Sequence, residues 1–219
     1  MATILITGCN RGIGLELCRQ LSARGENVIG VCRRTSDDLG KMGIRVIDDV
    51  DVSTAAGVAR LKEAIGAESI DILVNNAGIL RSDKLGSLDF EQISEQFRVN
   101  TLGPLRVAQA LLDNLHDGSK VAIITSRMGS IADNTSGSRY GYRISKAAVN
   151  MAGVSLSRDL ETRGIAVVLL HPGMVATSMT GGQGIEPRAS ASGLIQRIDA
   201  LDMESTGSFW HAEGYDLPW

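Results

Sequence analysis

The sequence predicts an α/β fold, a doubly wound parallel sheet with helices on both faces. Two observations carry this prediction. Short apolar runs alternate with longer segments in which apolar residues recur at helical spacing. Several of the apolar runs are continuous rather than alternating, which is typical of strands buried on both faces of a parallel sheet. We expect residues 1–219 to form a single domain, because a chain of this length fits one large domain more easily than two.

The predicted strands are the apolar runs themselves, and the predicted helices lie between them. The strands span 3–7, 27–32, 44–49, 70–76, 120–125 and 165–172. The helices span 12–24, 53–65, 92–115 and 140–163. Gly25 and Gly164 follow the first and the last helix, where glycine commonly caps a helix C-terminus.

Charge and composition argue against several classes of protein. The net charge is −3, from 22 basic and 25 acidic residues, so bulk electrostatics attracts neither nucleic acid nor anionic lipid. No apolar run approaches the roughly 20 residues that cross a bilayer, and the N-terminus does not resemble a secretory signal. Cys9, Cys18 and Cys32 match no zinc spacing. We therefore expect a cytoplasmic protein with reduced thiols, no metal, and no nucleic-acid or membrane partner.

A glycine-rich turn, TGCNRGIG at residues 7–14, joins the first strand to the first helix. Gly8, Gly12 and Gly14 have the spacing GxxxGxG, which differs from the GxGxxG dinucleotide fingerprint but serves the same purposes. One glycine permits a tight turn, one lets the backbone approach a phosphate, and one lets the helix pack on the strand. The helix N-terminus would then offer unpaired N–H groups to an anion. A tight turn without a ligand would look the same, so other motifs must decide.

Three further motifs follow in order: NNAG at 75–78, Ser126 after the fifth strand, and YRISK at 142–146. With the glycine turn they resemble the short-chain dehydrogenase/reductase family, over residues 3 to about 177. The stretch YRISKAAVNM and the ending GYDLPW are most similar to its sniffer-type carbonyl reductase and C-factor-like branch. The resemblance implies a Rossmann-like domain, a nicotinamide cofactor, and interconversion of a carbonyl compound and an alcohol by hydride transfer.

The end of the second strand favours NADP(H) over NAD(H). NAD-specific sites usually place a carboxylate there to bind the ribose 2′-hydroxyl. Here Cys32 takes the position of the acid, and Arg33 and Arg34 follow it. Arg11, inside the glycine turn, adds a positive charge nearby. A guanidinium group suits the extra charge of a 2′-phosphate.

The resemblance also assigns a cofactor trough, the set of residues expected to line the nicotinamide dinucleotide. Asp51 and Val52 would flank the adenine, and Thr177 would bind the carboxamide. The expected cofactor-binding residues are Gly8, Asn10, Arg11, Gly12, Ile13, Gly14, Arg33, Asp51, Val52, Asn75, Ala77, Gly78, Tyr142, Lys146, Pro172, Gly173, Val175 and Thr177.

Tyr142 and Lys146 are the expected proton donor and its partner. Their i, i+4 spacing puts both side chains on one helix face. The free phenol has a pKa of about 10, and a nearby ammonium group together with the charge of oxidised nicotinamide would lower that pKa. The resemblance adds that Lys146 binds the nicotinamide ribose. Tyr140 lies six residues before Lys146 and faces elsewhere, so we expect it to pack at the helix start or line the substrate cleft.

Two further polar residues complete the expected catalytic set. Ser126 closes the fifth strand, where its hydroxyl could donate to the substrate oxygen. Thr125 and Ser130 are alternatives, although Thr125 should point to the opposite face of the strand. By resemblance, Asn100 holds a water in a proton relay to Lys146. From its position inside a predicted helix alone, Asn100 could equally be a solvent-facing residue or mark a local bend.

The leading functional hypothesis is an NADP(H)-dependent carbonyl reductase or alcohol dehydrogenase acting on a small molecule. The alternative is a dinucleotide-binding signalling or regulatory protein of C-factor type, because a fold alone does not fix a function. Residues 176–195, rich in Gly, Ser, Thr and Ala, are interpreted as a mobile loop that closes over the substrate. By resemblance, the long helices around 100–115 and 141–162 would form a homodimer or homotetramer interface.

Overall fold

The computed structural model describes residues 1–219 and contains seven strands in one sheet. They are β1 Thr3–Thr7, β2 Asn27–Val31, β3 Arg45–Ile47, β4 Ile70–Asn75, β5 Leu115–Ile124, β6 Ala166–His171 and β7 Phe209–His211. All pairings are parallel, in the order β3-β2-β1-β4-β5-β6-β7. The order reverses between β1 and β4, so a crevice opens beyond the carboxyl ends of these two strands. The predicted doubly wound parallel sheet is confirmed.

Helices cover both faces of this sheet. They are α1 Gly12–Ala23, α2 Asp37–Gly40, α3 Ala55–Ile65, α4 Phe90–Phe97, α5 Gly103–Ala110, α6 Tyr140–Glu161 and α7 Pro187–Ala200. Alternate residues of β1 enter separate cores: Ile4 and Ile6 pack in the core that contains α1 and α7. Leu5 packs in the core that contains α3, α5 and α6. None of the helices combines the length and the apolarity that crossing a bilayer requires.

The helix predicted over 92–115 is interrupted, and its last residue begins a strand. After α4, a π-helical turn spans Arg98–Leu102 and precedes α5. Pro104 lacks an N–H and cannot close the α-helical hydrogen bond to the carbonyl of Asn100, which favours a wider turn. The chain then passes through a 3₁₀ turn at Leu112–Asn114 and enters β5, five residues earlier than predicted.

The loop interpretation of residues 176–195 is wrong from Pro187 onward. A 3₁₀ turn spans Ser178–Thr180, and α7 begins at Pro187, an imino acid suited to the first helical position. The small residues that suggested a loop allow close packing instead: a Cβ atom at Gly193 would lie 2.5 Å from the carbonyl oxygen of Ala212. The short strand β7 was also not predicted.

Candidate active site

The glycine turn between β1 and α1 forms a backbone cradle, a concave stretch of main chain with free N–H groups. Gly8 and Gly12 have positive φ angles of 67° and 56°, which glycine adopts without strain. A Cβ atom at Gly14 would lie 2.4 Å from the carbonyl oxygen of Gly8, so a side chain is excluded there. The N–H groups of Gly12, Ile13 and Gly14 make no hydrogen bond within the protein, and the Arg11 side chain does not cap the helix. These free donors at a helix N-terminus suit a phosphate.

Asn76 holds this turn against β4 and was missed by the sequence analysis. Its Nδ2 donates to the carbonyl oxygens of Thr7 and Gly8, each at 3.0 Å. The hydroxyl oxygen of Thr7 in turn accepts from the N–H groups of Asn76 and Ala77, at 3.0 and 3.1 Å. The two adjacent asparagines of NNAG could have indicated that one of them is structural, but sequence alone does not tell which amide faces the turn.

The carboxyl end of β2 brings arginines beside the cradle. Asn10 Nδ2 donates to the carbonyl oxygen of Arg34 at 2.9 Å, which ties the glycine turn to this strand end. Arg33 is exposed. Partial burial would raise the pKa of Asp51, but hydrogen bonds from Ser53 and the charge of Arg33 outweigh it and lower that pKa.

Cys32, at the expected acid position, is buried and carries no charge that could replace a carboxylate. A hydrogen bond with Cys9 and burial both raise the pKa of its thiol. All three cysteines are free and buried. The end of β2 therefore presents guanidinium groups and a neutral thiol to any ribose placed there.

The remaining trough residues line the space between β4, α6 and the segment after β6. Asn75 Nδ2 is buried without a hydrogen-bond partner, so a polar donor is left for a ligand. A Cβ atom at Gly78 would lie 3.3 Å from Asn100 Oδ1 and 3.8 Å from Lys146 Nζ. A Cβ atom at Gly12 would lie 3.2 Å from Thr177 Cγ2.

The other expected trough residues include Val52 and three residues after β6. Val52 packs behind the trough, within 3.0 Å of a Cβ atom built on Gly103. Pro172 accepts a hydrogen bond from Ser190 at 2.8 Å, Gly173 has a φ of 84°, and Val175 pairs with Ile185. The structure thus places these residues after the carboxyl ends of parallel strands, at one edge of the sheet. The buried free amide of Asn75 and the open backbone of the glycine turn fit a dinucleotide.

Tyr142 and Lys146 share one face of α6, and both are buried. Lys146 Nζ lies 5.8 Å from the centroid of the Tyr142 ring and donates to the carbonyl oxygen of Ile124 at 2.9 Å. Burial raises the pKa of Tyr142 to about 12, although a hydrogen bond with Ser126 and the charge of Arg139 act in the opposite direction. Burial lowers the pKa of Lys146 to about 8. In the protein on its own, desolvation outweighs the hydrogen bond with Ser126 and the charge of Arg139. The lowered tyrosine pKa, expected with oxidised nicotinamide bound, stays a prediction.

Ser126 lies two residues after the end of β5, where it caps a 3₁₀ turn. Its Oγ accepts from the N–H of Met128 at 3.1 Å, and the hydroxyl acts to lower the pKa of Tyr142. Both alternatives are engaged elsewhere. Thr125 donates to Asn150 Oδ1 at 2.7 Å, and Ser130 donates to the carbonyl oxygen of Trp219 at 2.9 Å. Of the three hydroxyl residues, Ser126 is the one beside the tyrosine.

Asn100 lies in the π-helical turn with its side-chain amide fully used. Its Oδ1 accepts from the N–H of Ile79 at 2.8 Å. Its Nδ2 donates to the carbonyl oxygen of Ile79 at 2.9 Å and to the hydroxyl of Ser145 at 3.0 Å. The amide therefore joins Ile79, the residue after NNAG, to α6. Pro104, four residues on, has no N–H to donate to the backbone carbonyl of Asn100.

The N-terminus of α6 is held by a residue that sequence analysis did not single out. The carboxylate of Asp83 accepts from the N–H groups of Tyr140 and Gly141. Before them, Ser138 and Arg139 adopt positive φ angles of 50° and 52°. Such backbone strain in residues other than glycine is concentrated at functional sites. Tyr140 itself is 37% exposed, whereas Tyr142 is 8% exposed and faces the site.

Comparison with known proteins agrees with this geometry. The family model for short chain dehydrogenases matches residues 2–186. The chain is 44% identical to a 1-hydroxy-2-glutathionyl-2-methyl-3-butene dehydrogenase of Rhodococcus sp. (strain AD45), over 100% of both chains. It is 46% identical to the C-signal of Myxococcus xanthus, over 68% of this chain and 93% of that one. The carbonyl reductase Sniffer of D. melanogaster superposes with a TM-score of 0.90 at 31% identity, over 100% of both chains.

Fold and site together define a protein of the Rossmann-like α/β class. Within that class, the chain belongs to the short-chain dehydrogenase/reductase family of oxidoreductases. The predicted resemblance to its sniffer-type and C-factor-like members is also confirmed.

Proposed function

We propose that the protein is an NADP(H)-dependent oxidoreductase that interconverts an aldehyde or ketone and an alcohol. The observation that carries the proposal is the meeting of Ser126, Tyr142 and Lys146 at the carboxyl edge of the sheet, beside the uncapped N-terminus of α1. A hydroxyl, a phenol and an ammonium group at that edge are the groups that proton transfer to a carbonyl oxygen needs. Relatives named as a dehydrogenase and a carbonyl reductase support it.

In the proposed reaction, bound nicotinamide supplies the hydride in reduction and accepts it in oxidation. Ser126 donates a hydrogen bond to the substrate oxygen as charge builds on it. Tyr142 gives that oxygen its proton. Its raised pKa keeps the phenol protonated at neutral pH, in the state that reduction requires. Lys146 holds the nicotinamide ribose and adds positive charge beside the phenolate that remains.

The proton that Tyr142 loses is replaced through Lys146. Burial places the pKa of Lys146 at about 8, close to working pH, so its ammonium group can give up and regain a proton. A water held by the backbone carbonyl of Asn100 would connect Lys146 to solvent. Lys146 Nζ and Asn100 Oδ1 both lie within 4 Å of a Cβ atom built on Gly78, so the two residues border the same space.

A preference for NADP(H) rests on charge at the end of β2. The neutral thiol of Cys32 offers a 2′-phosphate no repulsion, and Arg33 is exposed beside it. Asn10 fixes the neighbouring backbone to the glycine turn. A 2′-phosphate at this place would meet guanidinium groups rather than a carboxylate.

Further features of the proposal are carried over from the sequence. We propose one cytoplasmic domain over residues 1–219, in which the segment from 176 up to α7 closes over the substrate.

We also propose a homodimer or homotetramer. Ile144 and Met151, which are 50% and 69% exposed on α6, give that helix an apolar outer face suited to a second copy.

A signalling or regulatory role without turnover is the second candidate, and the likeness to the C-signal of Myxococcus xanthus favours it. The experiment that separates the two measures NADPH and NADH oxidation with a panel of aldehydes, ketones and quinones. Turnover with NADPH supports the enzyme. Tight NADPH binding without turnover of any compound supports the regulatory role, and faster turnover with NADH contradicts the proposed cofactor preference.

A further inference from the structure

A positively charged cavity lies beside the reacting residues and outside the cofactor trough. It has a volume of about 430 Å³ and is formed by the segment between β5 and α6 together with Arg143 on the first turn of α6. Its lining includes three arginines, Arg127, Arg139 and Arg143, and one acid, Asp133. None of its lining residues belongs to the cofactor trough, so the cavity has no part in binding the cofactor phosphates.

Two of the three arginines keep their charge uncompensated. Arg127 is paired with Asp133, with 2.7 Å between the guanidinium nitrogen and the carboxylate oxygen. Arg143 donates only to neutral acceptors, among them the carbonyl oxygen of Ser138 at 3.1 Å and the hydroxyl of Ser136 at 2.8 Å. The guanidinium of Arg139 hydrogen-bonds with Met128 Sδ, at 3.8 Å, and forms no ion pair with an acidic residue. The cavity therefore carries an excess of positive charge.

The three arginines lie close to the expected catalytic residues Ser126 and Tyr142. Arg127 directly follows Ser126, and Arg143 directly follows Tyr142. The positive charge of Arg139 reaches the phenol, because it contributes to lowering the pKa of Tyr142 against the effect of burial. Arg139 is also fixed in a left-handed backbone conformation, with φ 52° and ψ 45°, one helical turn before Tyr142.

We propose that this cavity binds a carboxylate of the substrate, so that the protein prefers aldehydes and ketones that carry a carboxylate at a distance from the carbonyl group. This inference rests on the proposed function and names the substrate class of the same site. The reacting carbonyl lies at Tyr142 and Ser126, and the carboxylate lies against Arg139. An anion there exchanges hydration for charge-assisted hydrogen bonds from a guanidinium group that has no acidic partner in the protein.

The test compares 4-carboxybenzaldehyde with its neutral methyl ester, methyl 4-formylbenzoate, as substrates with NADPH. We expect the wild-type kcat/KM for the carboxylate to exceed that for the ester by about tenfold or more. That preference should fall as ionic strength rises, because salt screens the interaction. Equal kcat/KM values for the two aldehydes at low salt would overturn the proposal without any variant.

Arg139→Gln tests the residue itself. Because Arg139 also acts on the pKa of Tyr142, the readout is the ratio of the two kcat/KM values, from which an effect on proton transfer cancels. We expect the ratio to fall by about tenfold in Arg139→Gln, mainly through KM for the carboxylate, and to be largely retained in Arg139→Lys. Arg158→Gln, an exposed arginine further along α6, is the matched control and should leave the ratio unchanged. An unchanged ratio in Arg139→Gln would overturn the assignment.

Failure of this inference and failure of the proposed function give different results. Calorimetric titration with terephthalate, which carries the carboxylate but no reactive carbonyl, measures the site without turnover. Weaker terephthalate binding to Arg139→Gln than to wild type, with no turnover of either aldehyde or of any compound in the panel, supports the anion site and overturns the proposed reaction. Turnover of both aldehydes at equal kcat/KM, with no terephthalate binding, overturns the anion site and leaves the reaction standing.

Discussion

Lys146 Nζ lies 5.8 Å from the centroid of the Tyr142 ring, yet its nearest polar partner is the carbonyl oxygen of Ile124, at 2.9 Å. The lysine therefore does not bind the phenol directly, and burial acts on the two groups in opposite directions. It raises the pKa of Tyr142 to about 12 and lowers that of Lys146 to about 8. In the protein on its own, desolvation disfavours the charged form of each side chain.

Replacing Lys146 by Met should change how stability depends on pH. An unfolded chain keeps the lysine protonated up to its ordinary pKa of 10.5, whereas the folded protein releases that proton at about pH 8. Between those values the unfolded state binds more protons, so the wild-type free energy of unfolding should rise with pH, by roughly 1–3 kcal/mol, relative to Lys146→Met. Urea denaturation of both proteins at about pH 7 and about pH 10 measures the difference. A constant difference between the two proteins across that window would contradict the buried, depressed lysine.

Arg33→Ala should weaken NADPH binding and leave NADH binding nearly unchanged. The substitution removes a guanidinium group from the end of β2, and a hydrogen bond to a charged group contributes about 1.5–3 kcal/mol, equivalent to roughly 10- to 150-fold in KM for NADPH. Steady-state kinetics with each cofactor checks this. Arg188→Ala, which removes another exposed arginine at the start of α7, is the control and should alter neither KM. Equal losses with NADPH and NADH would place Arg33 away from the 2′-phosphate.

Gly14→Ala should destabilise the fold and weaken cofactor binding together. Its new Cβ atom would lie 2.4 Å from the carbonyl oxygen of Gly8 and 2.5 Å from Asn76 Nδ2, so the glycine turn must shift. We expect a loss of about 1–3 kcal/mol of stability, as for other overpacked sites. Gly40→Ala is the matched control, because its Cβ atom would meet only Thr35 Cγ2, at 3.9 Å. Thermal melts with and without NADPH measure both effects, and equal behaviour of the two variants would show that the turn tolerates a side chain.

The sequence predicted most of the sheet because buried parallel strands carry a continuous apolar signal. The strand β7 was missed because three residues are too few to show an apolar pattern. The helix α7 was missed because its small residues resemble a loop, whereas they are needed for tertiary packing, as where Gly193 approaches Ala212. Motif order and spacing predicted that Ser126, Tyr142 and Lys146 lie near one another, as they do in the structure, and their catalytic roles stay predictions. The roles of Asn76 and Asp83 could not be predicted, because each depends on a partner more than 50 residues away.

The raised pKa of Tyr142 in the protein on its own could not be predicted, for a related reason. Helical spacing places Lys146 on the same face, but it does not show that both side chains are buried, or that burial dominates the pKa of each. The Arg139 cavity was likewise missed, since it depends on the path of the segment between β5 and α6.

The measurement that tests the proposed chemistry most directly is NADPH oxidation by Tyr142→Phe, with Tyr140→Phe as its matched control. Both variants keep an aromatic ring, and each loses one hydroxyl. Tyr142→Phe should reduce kcat by about 10²–10⁴-fold, the contribution of a general acid, while the Kd for NADPH measured by fluorescence titration stays close to that of the wild type. Tyr140→Phe should retain turnover. Wild-type turnover by Tyr142→Phe, or its loss in Tyr140→Phe alone, would contradict Tyr142 as the proton donor.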